Sequence, residues 1–224
     1  MGWKYNAPCF VGKGDADGVI EREVCETSLA DAIPINHPAT MITLGSSFKP
    51  PGDLFPMIFE FLGQFTRNLN QLSAQLDKAV AYADHKKFDV KILLQARLAP
   101  DQFDFTRQVQ MTCDTAKAFA SKLTGKEVPK HEDNETSVAE LQSRIAKTIQ
   151  FLGTFQREDF KGWESVKVTN PRREGKYLPA NEWVMQQAIP NFFFHATTAY
   201  AILRHNGVDV GKKDFLGELN HRAL

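Results

Sequence analysis

Apolar side chains recur every three or four positions from Leu54 onward: Leu54, Ile58, Phe61, Phe65, Leu69, Leu72, Leu76, Ala79 and Ala83. That period predicts a long amphipathic helix. Asp53 is placed to cap it, with Pro56 in the first turn. Arg67, Asn70, Gln71, Gln75 and Lys78 fall on the wet side, and the pattern stops at His85-Lys86-Lys87, where the helix dipole favours cations. The run from Ile92 to Leu98 predicts a short helical turn stopped by Pro100. A second long helix is predicted from Phe105 to Leu123, apolar at Val109, Cys113, Ala116, Ala120 and Leu123, with Gly125 closing it. After a polar connector over residues 126–136, Ser137-Val138-Ala139-Glu140 reads as a capping box opening a third helix. Its stripe is Val138, Leu141, Ile145, Thr148, Ile149 and Leu152, and it fades near Arg157.

The segment Trp163 to Val168 alternates as a strand does, Asn170-Pro171 breaks it, and Lys176-Tyr177-Leu178 can pair back as a hairpin. A fourth helix is expected over residues 182–206, with Gly207 just past its end and Arg204 and His205 satisfying its last carbonyls. Four long helices and one hairpin predict an all-α four-helix bundle. Residues 1–50 show no period and hold several Gly and Pro breakers. The expected division is therefore an irregular N-terminal extension over residues 1–50 and a bundle domain over residues 51–224.

Composition narrows the function classes. The 27 basic and 27 acidic side chains cancel. A neutral chain lacks the electrostatic footprint of a nucleic-acid binder, and no basic amphipathic stretch points to a membrane partner. Three cysteines make no disulfide framework, which fits a reducing, cytoplasmic setting. The 17 phenylalanines either fill a core or line a pocket for a flat aromatic molecule.

Two histidines are candidate catalytic residues. His195 shares a helical line with Ala188, Asn191, Thr198 and Ile202, facing the interior, where burial keeps an imidazole neutral and basic. His85 lies off the apolar face of the first helix; were that helix to unwind before Asp84, its ring would sit at a pocket mouth beside the turn from Leu98 to Phe103. Arg97 and Asp101 flank Pro100 as a local ion pair or a polar pocket rim. No HxxxH or CxxC occurs, so no metal site is expected.

The stretches Gln95 to Phe103, Arg107-Gln108-Val109-Gln110, Pro190 to Gly207 and Lys212 to Gly217 resemble a family of uncharacterised function among the DinB/YfiT-like four-helix bundles. In that wider group the resemblance implies a metal held by one histidine of the second helix and two, at i and i+4, of the last. His195 matches one of these, Asn191 stands at the other, and the second helix offers Gln108, Val109, Gln110 and Met111. Fungal members resemble chalcone isomerases. By that resemblance the expected activity is a cofactor-independent, histidine-assisted ring closure of an aromatic small molecule, with His85 as the matching base. Asp101, Phe103, Phe194, Arg97, Asn191 and Tyr200 are then expected around the substrate, and a homodimer follows by analogy. The alternatives are a non-catalytic binding or scaffold protein, or a degenerate metal-dependent enzyme of the DinB type.

Overall fold

The computed structural model describes residues 54–223. The extension over residues 1–50 and the Asp53 cap lie outside them. Helix α1 spans Leu54–Lys86, α2 Lys91–Leu94, α3 Phe105–Thr124 and α4 Val138–Leu152. Two 3-10 turns, Arg157–Phe160 and Trp163–Ser165, lead to β1, Lys167–Thr169, and β2, Tyr177–Pro179. Then come α5, Ala180–Trp183, a π turn over Val184–Ala188, α6, Ile189–His205, and the short α7, Lys212–Leu216. The strands pair antiparallel, with Val168 opposite Leu178.

The four-helix bundle follows from the stripes. Helix α3 lies against α4 and α6, and α1 against α3, α4 and α6. Ile58, Phe65, Leu69, Leu72, Leu76, Ala79 and Ala83 are all buried in α1. Phe61 is only half-buried, and Leu62 takes the inward position beside it. Phe65 stacks on Phe192 of α6 with ring centroids 4.1 Å apart and meets Phe119 of α3 edge-on at 5.1 Å. Each such ring contributes roughly 1.5–3 kcal/mol by leaving water. Most of the phenylalanine excess therefore serves the core.

The ends of the elements follow local chemistry. Asp104 caps α3 by accepting from the Arg107 amide at 2.9 Å, and Gly125 closes it at φ 77°. The Ser137–Glu140 capping box forms as expected. Gly207 ends α6 at φ 91°, and a Cβ there would stand 2.6 Å from the Tyr82 hydroxyl, so only glycine lets these elements approach.

Several boundaries differ from the expectation. Helix α2 ends at Leu94, well before Pro100. Helix α4 stops at Leu152, so nothing helical fades toward Arg157 until a separate 3-10 turn begins there. Trp163–Ser165 is a 3-10 turn, and the strand starts only at Lys167. The fourth helix begins at Ala180 and is interrupted. Pro190 has no amide to give the ladder, and just before it the Ile189 amide reaches five residues back, to Val184. At the other end Asn206, not Arg204 or His205, covers the carbonyl of Ile202 with its backbone and side-chain nitrogens at 3.1 and 2.8 Å.

Gln75 is buried, not wet. Its Nε2 donates to the Asp214 carbonyl at 3.2 Å, Asn68 Nδ2 to the Phe215 carbonyl at 3.3 Å, and Lys78 pairs with the Asp214 carboxylate at 2.8 Å. Polar side chains of α1 thus hold α7 in place.

Candidate functional site

His195 is the one histidine of the described bundle helices that faces inward, on the α6 surface packed against α3. Its ring is 6% exposed. Across the gap stands Gln108, 1% exposed, in the first turn of α3. Gln108 Nε2 donates to the Phe103 carbonyl at 3.2 Å, which turns Oε1 toward the imidazole. His195 Nδ1 donates to that oxygen at 2.7 Å. The amide orientation therefore assigns the tautomer: Nδ1 carries the hydrogen and Nε2 keeps its lone pair. Burial, and then the charge of Arg107, hold the His195 pKa below the ordinary 6.5. At neutral pH the ring is uncharged and oriented.

Around this pair the wall is aromatic and cationic. The Phe194 ring lies 5.2 Å from the imidazole, and the Arg107 guanidinium sits over the Phe103 ring at 5.7 Å. Phe103 and Phe194 are 50% and 56% exposed, unusual for rings of this size. Arg107 Nη1 donates to Gln110 at 2.9 Å and pairs with Asp133.

The other expected residues are dispersed. Helix α1 stays wound through His85 and ends only when Lys87 adopts φ 60°, with the Phe88 amide bonded to the Ala83 carbonyl at 3.0 Å. His85 is accordingly carried outward on the last turn and is exposed. The unwinding that would bring it to a pocket mouth does not occur. Arg97 does not pair with Asp101. It pairs with Asp104 at 3.6 Å and donates to the Pro100 carbonyl at 3.4 Å, leaving Asp101 exposed. Asn191, one turn before His195, donates to Thr115 of α3 at 2.8 Å. Tyr200 is half-buried and meets Phe215 edge-on at 5.9 Å. Neither of two surface hollows touches a candidate histidine. One, of about 310 Å³, is lined by Lys91, Gln95, Asp104, Thr106 and Glu135; the other, of about 550 Å³, lies in the hairpin loop from Thr169 to Tyr177.

The metal that the resemblance implies does not suit these side chains. Both amide atoms of Gln108 are engaged, and the Asn191 amide nitrogen is engaged too. Among the described residues no group of three His, Cys, Asp or Glu is placed to hold a metal ion. One imidazole with two neutral amides is a poor donor set for a divalent transition ion. Cys113 is fully buried in α3, and burial pushes its thiol up to about 12, so it is no nucleophile at neutral pH.

His195, Phe103 and Phe194 stand out in the sequence, whereas Gln108 and Arg107 carry no expected role at the site. Both stand in the Arg107-Gln108-Val109-Gln110 motif, and a glutamine on the inner face of a helix is itself a sign of a buried partner.

Comparison with known proteins agrees with the architecture. Residues 60–216 match the family described as Domain of unknown function (DUF1993). The chain is also similar to a DinB family member protein from Shewanella denitrificans of known crystal structure. The two share 47% identity with a TM-score of 0.74, over 76% of this chain and 97% of that one. No curated protein matches the chain. Among the described residues no helix is long and apolar enough to cross a membrane.

Proposed function

We propose that this chain, which belongs to the DUF1993 family, carries out metal-independent general-base chemistry on a small aromatic molecule, with His195 rather than His85 as the base. The observation that carries the reading is the Gln108–His195 hydrogen bond. It presents a neutral imidazole with a defined free lone pair, at a depth where proton transfer is useful. Phe103 and Phe194 offer flat surfaces for an aromatic ring, and Arg107 offers positive charge for an oxygen that becomes anionic.

A chalcone-like ring closure fits this set. His195 Nε2 takes the phenol proton, and the phenolate oxygen bonds to the β-carbon of the enone. The electron pair passes to the carbonyl oxygen, which Arg107 faces as an enolate. The α-carbon then takes back the proton from the imidazolium, so no cofactor is consumed.

Incubation with a 2′-hydroxychalcone tests it through loss of the visible absorbance above the spontaneous rate. His195→Gln is expected to lower that rate by about 100-fold or more, while His85→Ala leaves it unchanged. Equal rates for His195→Gln and the wild-type chain would sink the assignment. A second reading, a non-catalytic scaffold protein, is favoured by the side-chain-filled interior and by hollows that lie away from both histidines. Neither turnover nor saturable binding of the chalcone would select it.

A further inference from the structure

The connector between α3 and α4 is held down in two different ways. Its first half is gripped by Lys117, which is 3% exposed on α3. The Lys117 ammonium has three N–H donors and meets three acceptors: the Asp114 carboxylate at 3.0 Å, the Pro129 carbonyl at 3.3 Å and His131 Nδ1 at 3.1 Å. The second half is gripped by guanidinium groups. Arg144, buried in α4, pairs with Asp114, Asp133 and Glu135 at 2.7, 3.0 and 2.9 Å, and Arg107 pairs with Asp133. Gln110 adds a bond to Glu135 at 2.8 Å. Upstream, Lys126 is anchored on Asp159 at 2.5 Å.

The grip on the first half has a chemical condition. A buried ammonium can donate to His131 Nδ1 only while that nitrogen keeps its lone pair, so the imidazole is neutral with its hydrogen on Nε2. A second proton must go to Nδ1. It converts the acceptor into a donor and sets two cations face to face. The charged groups around the ring are Lys117 and Asp114 of α3, Arg144 of α4 and Glu135 of the connector itself.

We infer that residues 127–131 form a proton-released strap, fastened by Lys117 to neutral His131 and let go when His131 is protonated. Lys126 and Asp133 stay fixed as its two hinges. Burial first, then Lys117 and Arg144, keep the His131 pKa below 6.5, with Asp114 and Glu135 opposing. Asp133 and Glu135 ionise below the usual carboxylate range: burial would raise them, but Arg107 and Arg144 outweigh it at Asp133, and Arg144 with the Glu135 amide and Gln110 outweighs it at Glu135. In mild acid, therefore, only the first half lifts, and it uncovers the Lys117 ammonium. The device is independent of any role for His195.

The test is cleavage of the full chain by a glutamate-specific protease active in mild acid. Rates after Glu127 and after Glu135 are each divided by those of an unstructured peptide of the same sequence at the same pH. For the wild-type chain the relative rate after Glu127 is expected to rise as pH falls below about 6.5, by up to about tenfold per pH unit. It should level off once folded His131 is itself protonated, while the rate after Glu135 stays level. His131→Gln keeps an acceptor but cannot titrate, so its rate should be flat and low; Lys117→Met should be flat and high. A wild-type rate that is flat while the His131 ring gains its proton overturns the proposal, as does an equal rise in His131→Gln. Should that variant not fold, the wild-type chain decides: a rise in the rate after Glu127 that tracks the titration of the His131 imidazole resonance supports the strap, and a titration with no such rise overturns it.

Discussion

The bond between His195 and Gln108 determines what a change at position 108 does. Gln108→Leu removes the acceptor and leaves a buried imidazole N–H unpaired, which should cost about 1–3 kcal/mol in urea unfolding. Gln108→Glu places a carboxylate where the amide oxygen stands 2.7 Å from Nδ1. A negative charge there favours the imidazolium, so the His195 midpoint, now held below 6.5, should move above it in a proton NMR titration. An unmoved midpoint would show that the two side chains do not meet in solution. At this scale the sequence was half legible. The period of α6 marks His195 as inward, because its neighbours at 188, 198 and 202 are apolar or small. It cannot mark Gln108 as the partner, since which faces of α3 and α6 meet depends on packing across 87 residues of chain. The stripe places His85 off the apolar face, where it stands; only the conditional unwinding before Asp84 is absent, because α1 stays wound to Lys86 and turns at Lys87 with φ 60°.

Helices were easiest to read where a cap or a stripe carries its own chemistry. The Ser137–Glu140 box and Gly125 do so: the one opens α4 and the other closes α3 where expected. The π turn over Val184–Ala188 was invisible, because Val, Met, Gln and Ala suit an α-helix equally well. The four-residue error at the strand start has the same origin: alternation over Trp163 to Val168 suits a 3-10 turn followed by a strand as well as one strand. At the end of α6, Gly207→Ala should be costly twice over. It places a Cβ at positive φ and drives it to 2.6 Å from the Tyr82 hydroxyl. We expect a loss of at least about 1 kcal/mol, part of it recovered by a second change, Tyr82→Phe, that removes the hydroxyl. An unaltered denaturation midpoint for Gly207→Ala would refute the close approach.

At the scale of the molecule, two kinds of group among the described residues shape the response to acid. His131 and His195 hold their protons less tightly when folded than the ordinary 6.5. The unfolded chain therefore takes up protons first. Their contribution is complete above about 6.5 and is lost as pH falls through the lower folded values. Asp133, Glu135 and Asp214 are also shifted down, from 3.8, 4.5 and 3.8. Their contribution persists to lower pH and disappears as the carboxylates take up protons. Urea midpoints measured against pH should thus decline in two stages, and the first stage should shrink in a His131→Gln, His195→Gln double variant. A single decline confined to the carboxylate range would contradict the histidine part.

The row of α1 side chains that reaches α7 joins distant stretches of the domain in time as well as in space. Asn68 and Gln75 are synthesised long before Phe215 and Asp214, whose carbonyls accept from their side-chain nitrogens. Until α7 emerges, those two nitrogens lack these partners. That edge of α1 therefore stays open through most of the domain's translation, and α7 is the latch that closes it.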